Sequence, residues 1–183
     1  MRDKRHKSYG SVWRLLRLLC PSKYYDSVCE IDLAELKRRG IDGLIIDLDN
    51  TLVPRYERET PQRIRRWLQE AILQGFRICI LSNNWTTRAS KIASQLKLPL
   101  LAPAGKPRQR AFLRAIKLLD VSPEQTVVIG DQIFTDILGG NRLGLKTILV
   151  VPISPQEMLH TKFLRRLERL VLKKLRERNL LKE

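Results

Sequence analysis

Apolar residues recur along the middle of the chain in short unbroken runs, with amphipathic stretches between them. The runs are GLIIDLD at 43–49, FRICILSN at 76–83, LPLLA at 98–102, TVVIGD at 126–131 and KTILVV at 146–151. Short apolar runs bounded by turn residues read as strands buried on both faces. Between the first two, Ile64, Trp67, Leu68, Ala71 and Ile72 follow helical spacing. Thr60 is placed to cap that helix, Pro61 suits its first position and Gly75 its stop. A second helix is expected from about Thr86 to Leu96. A third carries Phe112, Ala115, Ile116 and Leu119 on one face, and a fourth contains Asp136 to Leu143. Strands alternating with helices predict an α/β fold, a five-stranded parallel sheet flanked by helices.

The two ends differ from this middle. Val12, Trp13, Leu15, Leu16 and Leu19 share a short segment with Arg14 and Arg17 that stops at Pro21. Near the other end, Phe163, Leu164, Leu167, Leu170, Val171 and Leu175 form one helical stripe among Arg and Lys. The chain therefore divides into a basic, partly amphipathic segment (1–40), an α/β core (41–152) and a basic amphipathic helix (153–183). A helical apolar stripe is as ready to pack on the domain, or on a second copy, as to meet a membrane.

In open parallel sheets, ligands bind at the carboxyl ends of the strands. Asp47 and Asp49 follow the first run, Ser82-Asn83-Asn84 the second, Lys106 the third and Asp131 the fourth. Every polar candidate falls at the same edge. A carboxylate buried without a partner is costly, so the aspartates at a strand end call for a counter-charge. Taken singly, each has a plainer reading. Ser82 also reads as a helix N-cap, Lys106 as a surface lysine and Asp136 as a first-turn acid favoured by the helix dipole.

Composition narrows the classes. Hydrophobic residues make up 43% of 183, a globular proportion. No apolar run reaches the roughly 20 residues that span a bilayer, and the basic N-terminus lacks the unbroken apolar stretch of a secretory signal. Cys20, Cys29 and Cys79 are odd in number and form no CxxC, so a reducing cytoplasm is expected. His6 and His160 have no metal spacing. The formal net charge is +16, densest at the two ends. Such a chain is drawn to polyanions, whether nucleic acid or anionic lipid.

Acidic groups at one edge suit a hard divalent cation that prefers oxygen ligands, as magnesium does. Ser82, backbone N–H groups and Lys106 can hold a phosphoryl group. One aspartate can attack phosphorus and a second, two residues on, can serve as acid and base. In this combination the sequence resembles the haloacid dehalogenase (HAD) superfamily. Its four motifs are matched in order by Asp47-Leu48-Asp49-Asn50-Thr51, by Ser82, by Lys106 in GKP, and by Asp131 and Asp136 in GDQIFTD. Together with SNN, GGNRLG and VVPIS, these stretches resemble the subclass IIIA, YqeG-type phosphatases, relatives of phosphatidylglycerophosphate phosphatases.

The resemblance implies a Rossmann-like core and Mg²⁺-dependent hydrolysis of a phosphomonoester through an aspartyl-phosphate. It implies Asp47 as nucleophile and metal ligand. Asp49 is implied as acid, then base, offering Mg²⁺ its backbone carbonyl, and Asp131 as a direct ligand. Asp136 would act through water or by steadying Lys106. Ser82, Asn83 and Lys106 would bind the phosphoryl group, with Asn50 and Thr51 supporting. The short spacings after Thr51 and after Leu96 leave no room for a cap domain, and an open site suits a large substrate. The expectation is phosphatidylglycerophosphate, met at the inner face of an anionic membrane by a cytoplasmic, peripheral enzyme. The alternatives are a soluble, nucleic-acid or phosphoprotein substrate, or a basic RNA-binding protein with a vestigial site. Oligomeric state is left open.

Overall fold

The computed structural model describes residues 14–154 and 159–181, with side chains from 164 onward in the last helix. Six parallel strands form one sheet in the order β1-β6-β5-β2-β3-β4. They are β1 (Lys23–Tyr25), β2 (Gly43–Ile46), β3 (Arg77–Leu81), β4 (Leu100–Leu101), β5 (Thr126–Gly130) and β6 (Lys146–Val150). The five expected strands are present, and the correction is the sixth. β1 adds at the edge beside β6, with Lys23 opposite Ile148 and Tyr25 opposite Val150. Its three residues, KYY, carry no apolar run for a sequence reading to detect.

Helices α1 (14–18) and α2 (Leu33–Arg38) precede β2. α3 (Gln62–Leu73), α4 (Thr87–Leu96) and α5 (Gln109–Leu119) follow β2, β3 and β4. After β5 a π turn (Ile133–Ile137) runs into α6 (Leu138–Asn141), and α7 (Leu159–Glu177) closes the described chain. The sheet is covered on both faces because alternate residues of each strand point opposite ways. Leu44, Ile46, Ile80, Val127 and Ile129 pack with Ile64, Trp67, Leu68 and Ile92 on one side. Ile45, Cys79, Leu81 and Val128 pack with Phe112, Ala115, Ile116 and Leu119 on the other.

Helix boundaries follow local chemistry with two corrections. α3 starts after Pro61, and Thr60 caps nothing: its buried hydroxyl has no hydrogen-bond partner. At the next helix Thr86 accepts from the Ala89 N–H at 3.0 Å and is the cap, which leaves Ser82 free of that duty. Gly75 takes φ +78°, the left-handed stop expected of it. No domain is inserted between β2 and α3 or between β4 and α5.

The terminal stripes split. Leu16 and Leu19 are buried, whereas Leu15 is exposed. Leu19 joins Ile133, Ile137 and Leu149 in a third apolar cluster, against which Val171 and Leu172 pack. Leu175 is fully buried, but Leu167 and Leu170 face outward. α7 therefore docks on the domain with one face and carries a second, mixed face outside. Val12, Trp13 and the side chain of Phe163 lie outside the described residues. Among the described residues, no helix is long and apolar enough to cross a membrane.

Candidate active site

The β2 strand ends at Ile46, and the chain turns sharply through Asp47–Val53. Asn50 makes the turn possible by adopting φ +64°, a left-handed conformation that Asn tolerates better than most residues. Its side chain accepts from the Arg55 N–H at 3.2 Å, and its backbone carbonyl from the Ile153 N–H at 2.9 Å. This places Asp47 and Asp49 on the carboxyl edge of the sheet, both 8% exposed. β5 delivers Asp131 to the same edge, and the π turn after it aims Asp136 back over Gly130. The close approach explains the glycine, since a Cβ at residue 130 would lie 2.4 Å from the Asp136 carboxyl.

Oxygens of Asp47, Asp131 and Asp136 lie within 4.8 Å of one another, and all three residues are buried. Lys106, also buried, donates its ammonium to Asp47 and, at 2.7 Å, to Asp136. Asn83 holds Lys106 in place. Its Oδ1 accepts from the Lys106 N–H at 2.7 Å and its Nδ2 donates to the Lys106 carbonyl at 3.2 Å. The Asn83 amide is thus spent on the lysine's backbone. Ser82 is buried, and its Oγ accepts from the Asn84 N–H at 3.1 Å. Thr51 donates to Asp131 Oδ1 at 3.3 Å.

The electrostatics are those of an acid-rich pocket. Burial, with Asp136 and Asp131 adding to it, holds the Asp47 carboxyl well above its ordinary range despite Lys106. Burial likewise raises Asp131 to about 7 against the opposing pull of Arg165. For Lys106, burial acts downward, but the Asp136 and Asp47 carboxylates outweigh it and keep the ammonium charged. Three converging carboxylates with one lysine among them fit a hard divalent cation, which prefers oxygen donors. Its charge would hold all three ionised.

Asn84, given no role by the sequence reading, and two residues it passed over, Arg88 and Arg165, complete the surroundings. Asp49 does not face the cluster's lysine. Its Oδ1 is paired with Arg88 at 2.7 Å and its Oδ2 accepts from Asn84 Nδ2 at 2.8 Å. Arg88 also donates to the Pro54 carbonyl at 2.7 Å, so α4 is tied to the turn after β2. Arg165 reaches in from α7 and pairs with Asp131. Asn84 stood in the SNN stretch and was visible as polar at a strand end. Arg88 and Arg165 sat among many other basic residues, and nothing local distinguishes them.

Comparison with known proteins finds relatives of this chain. Residues 103–152 match the HAD-hydrolase-like family model. The chain is 37% identical to the probable phosphatase YqeG of Bacillus subtilis over 164 residues, covering 90% of this chain and 95% of that protein. It is 28% identical to phosphatidylglycerophosphate phosphatase 1, chloroplastic/mitochondrial, of Arabidopsis thaliana, across 79% of this chain but 44% of that one. Among solved structures, the cobalt-bound deoxy-D-mannose-octulosonate 8-phosphate phosphatase of Haemophilus influenzae shares the fold. The TM-score is 0.53 at 15% identity, over 75% of this chain and 90% of that one. With its motifs gathered at one sheet edge and a relative this similar along nearly its whole length, the chain belongs to the YqeG-type phosphatases of the HAD superfamily.

Proposed function

We propose that this phosphatase hydrolyses a phosphomonoester through a covalent phosphate on Asp47, with Mg²⁺ as its cation and phosphatidylglycerophosphate as its substrate. The observation that carries the chemistry is the convergence of Asp47, Lys106, Asp131 and Asp136 in one buried cluster, with Asp49 beside it in a different environment. Two carboxylates two residues apart are thereby set to two tasks, as attack on phosphorus followed by hydrolysis requires.

Asp47 attacks phosphorus, and the bond to the leaving alkoxide oxygen breaks. Asp49 gives that oxygen a proton, then takes one from the water that releases phosphate and restores Asp47. Lys106 balances the charge of the phosphoryl oxygens, and Asn83 and Asp136 hold Lys106 in register. Ser82 supplies a hydroxyl at the same edge. Asp47, Asp131 and the Asp49 carbonyl would hold the cation, with Asp136 at its border. When bound, it neutralises phosphoryl charge as the transition state forms.

The lipid reading is supported by three observations: the similarity to the Arabidopsis lipid phosphatase, a site with no inserted cap, and the outer face of α7. That face places Leu167 and Leu170 among Arg166, Arg169, Lys173 and Lys174, all exposed. An amphipathic basic helix of this kind suits an anionic membrane surface, and the enzyme would work there from the cytoplasmic side.

The test is phosphate release from phosphatidylglycerophosphate in mixed micelles, with and without Mg²⁺, beside soluble monoesters and nucleic-acid ends. A Mg²⁺-dependent preference for the lipid is expected, and Asp47→Asn should abolish turnover. Soluble esters turned over in preference to the lipid would refute the substrate. Substantial residual activity in Asp47→Asn would refute the nucleophile.

A further inference from the structure

α7 is separated from the catalytic loops by the whole of β6 and the segment after it, and none of the four motifs lies on it. Yet two of its side chains point into the site. Arg165 donates one arm of its guanidinium to Asp131 Oδ2 and the other to the Asp131 backbone carbonyl. Glu168, one turn on and 5% exposed, pairs with Arg165 at 2.8 Å. Its carboxylate accepts from the Ile133 N–H at 2.7 Å. That is the first N–H group of the π turn that carries Asp136. The helix thus holds the start of the acidic loop at two points, Asp131 and Ile133.

We propose that Arg165 and Glu168 are positioning residues of the active site, and that α7 completes the metal centre by orienting Asp131 and the Gln132–Asp136 turn. This rests on the assignment of Asp131 as a metal ligand. Asp131 has two oxygens and each has a task. Arg165 takes Oδ2 and Thr51 donates to Oδ1, so the direction of the whole carboxylate is fixed from both sides. Groups that orient a ligand in this way raise metal affinity, and their loss typically costs tenfold to a hundredfold. The charge agrees. Lys106 pairs with Asp47 and Asp136, and Arg165 with Asp131 and Glu168; the two groups adjoin where oxygens of the three aspartates lie within 4.8 Å of one another. Four carboxylates against two cations leave a formal charge of −2, which a divalent ion neutralises with Arg165 still in place.

The deciding experiment is calorimetric titration of the full chain with Mg²⁺ and Mn²⁺, comparing the parent with Arg165→Met and Arg165→Lys, alongside amide exchange across 132–137. Arg165→Met should weaken cation binding about tenfold or more. Arg165→Lys, which keeps the charge but loses the fork, should recover part of it. Turnover in both should be restored by excess cation, a pattern that a general loss of fold would not produce. Glu168→Ala should speed exchange at Ile133. Unchanged or tighter binding in Arg165→Met would overturn the proposal, the second by showing Arg165 to be a competitor of the cation. If the parent binds no cation, the metal reading fails by itself. The grip of α7 then stands or falls on the exchange result, and unchanged protection in Glu168→Ala overturns it.

Discussion

Asp131 shows how one residue can be both a structural liability and a functional asset. It is 2% exposed, and burial raises its carboxyl from 3.8 to about 7. In the unfolded chain the group ionises near its ordinary value, so between these limits the folded state holds the extra proton. Folding is then favoured at low pH, and this contribution is lost as pH rises from about 4 through 7. Asp47, raised for the same cause, acts in the same direction. The cation requires the ionised carboxylates and reverses the trend. Thermal unfolding without divalent ions should therefore occur at lower temperature at pH 8 than at pH 5.5. Added Mg²⁺ should raise the midpoint more at pH 8. An equal Mg²⁺ effect at both values would contradict the carboxylate cluster as the binding site.

At the scale of elements, the site depends on how closely β5 and the turn behind it approach. Gly130 is needed because the Asp136 carboxyl occupies the space a side chain would take. Gly139 plays the same part against the Phe112 ring, 2.3 Å from where a Cβ would stand. Overpacking of this sort costs about 1–3 kcal/mol, but the two positions should differ in kind. Gly130→Ala should displace Asp136 from Lys106 and remove turnover together with some stability. Gly139→Ala should lower the melting temperature while leaving the activity of the folded fraction largely intact. Comparing turnover per folded molecule with melting temperature in the two variants tests the distinction.

At the scale of the whole molecule, the net charge of +16 and the outer face of α7 bear on where the enzyme works. Leu167 and Leu170 are exposed, and each would contribute about 1.5–3 kcal/mol if fully buried in an apolar phase. Basic residues near an anionic surface add about 1 kcal/mol each. Co-sedimentation with phosphatidylcholine–phosphatidylglycerol vesicles should therefore be strong at low salt and weaken as salt rises. Binding to phosphatidylcholine alone should be poor, and Leu170→Glu should weaken the anionic case by about tenfold to a hundredfold, the value of one buried apolar side chain. Hydrolysis of a soluble monoester should be unchanged in that variant. Equal binding to neutral and anionic vesicles would remove the electrostatic part of the argument. Preferential capture by RNA would direct the charge to a different partner.

Much of this molecule was legible along the chain because its information is local. Unbroken apolar runs and helical spacing set the order of the elements. A parallel sheet then places every strand's carboxyl end on one edge, so Asp47, Asp49, Ser82, Lys106 and Asp131 could be grouped before any coordinates were known. Gly75 announces its helix stop by residue type alone. What only the tertiary structure decided has a common physical origin, in partners brought together from distant parts of the sequence. β1 is a strand because β6 offers it an edge, not because KYY has a strand pattern. Asn83 bonds the Lys106 backbone, and Arg88 holds Asp49. Arg165 is one of many arginines until α7 folds back over Asp131, where a buried carboxylate without a counter-charge would be unaffordable.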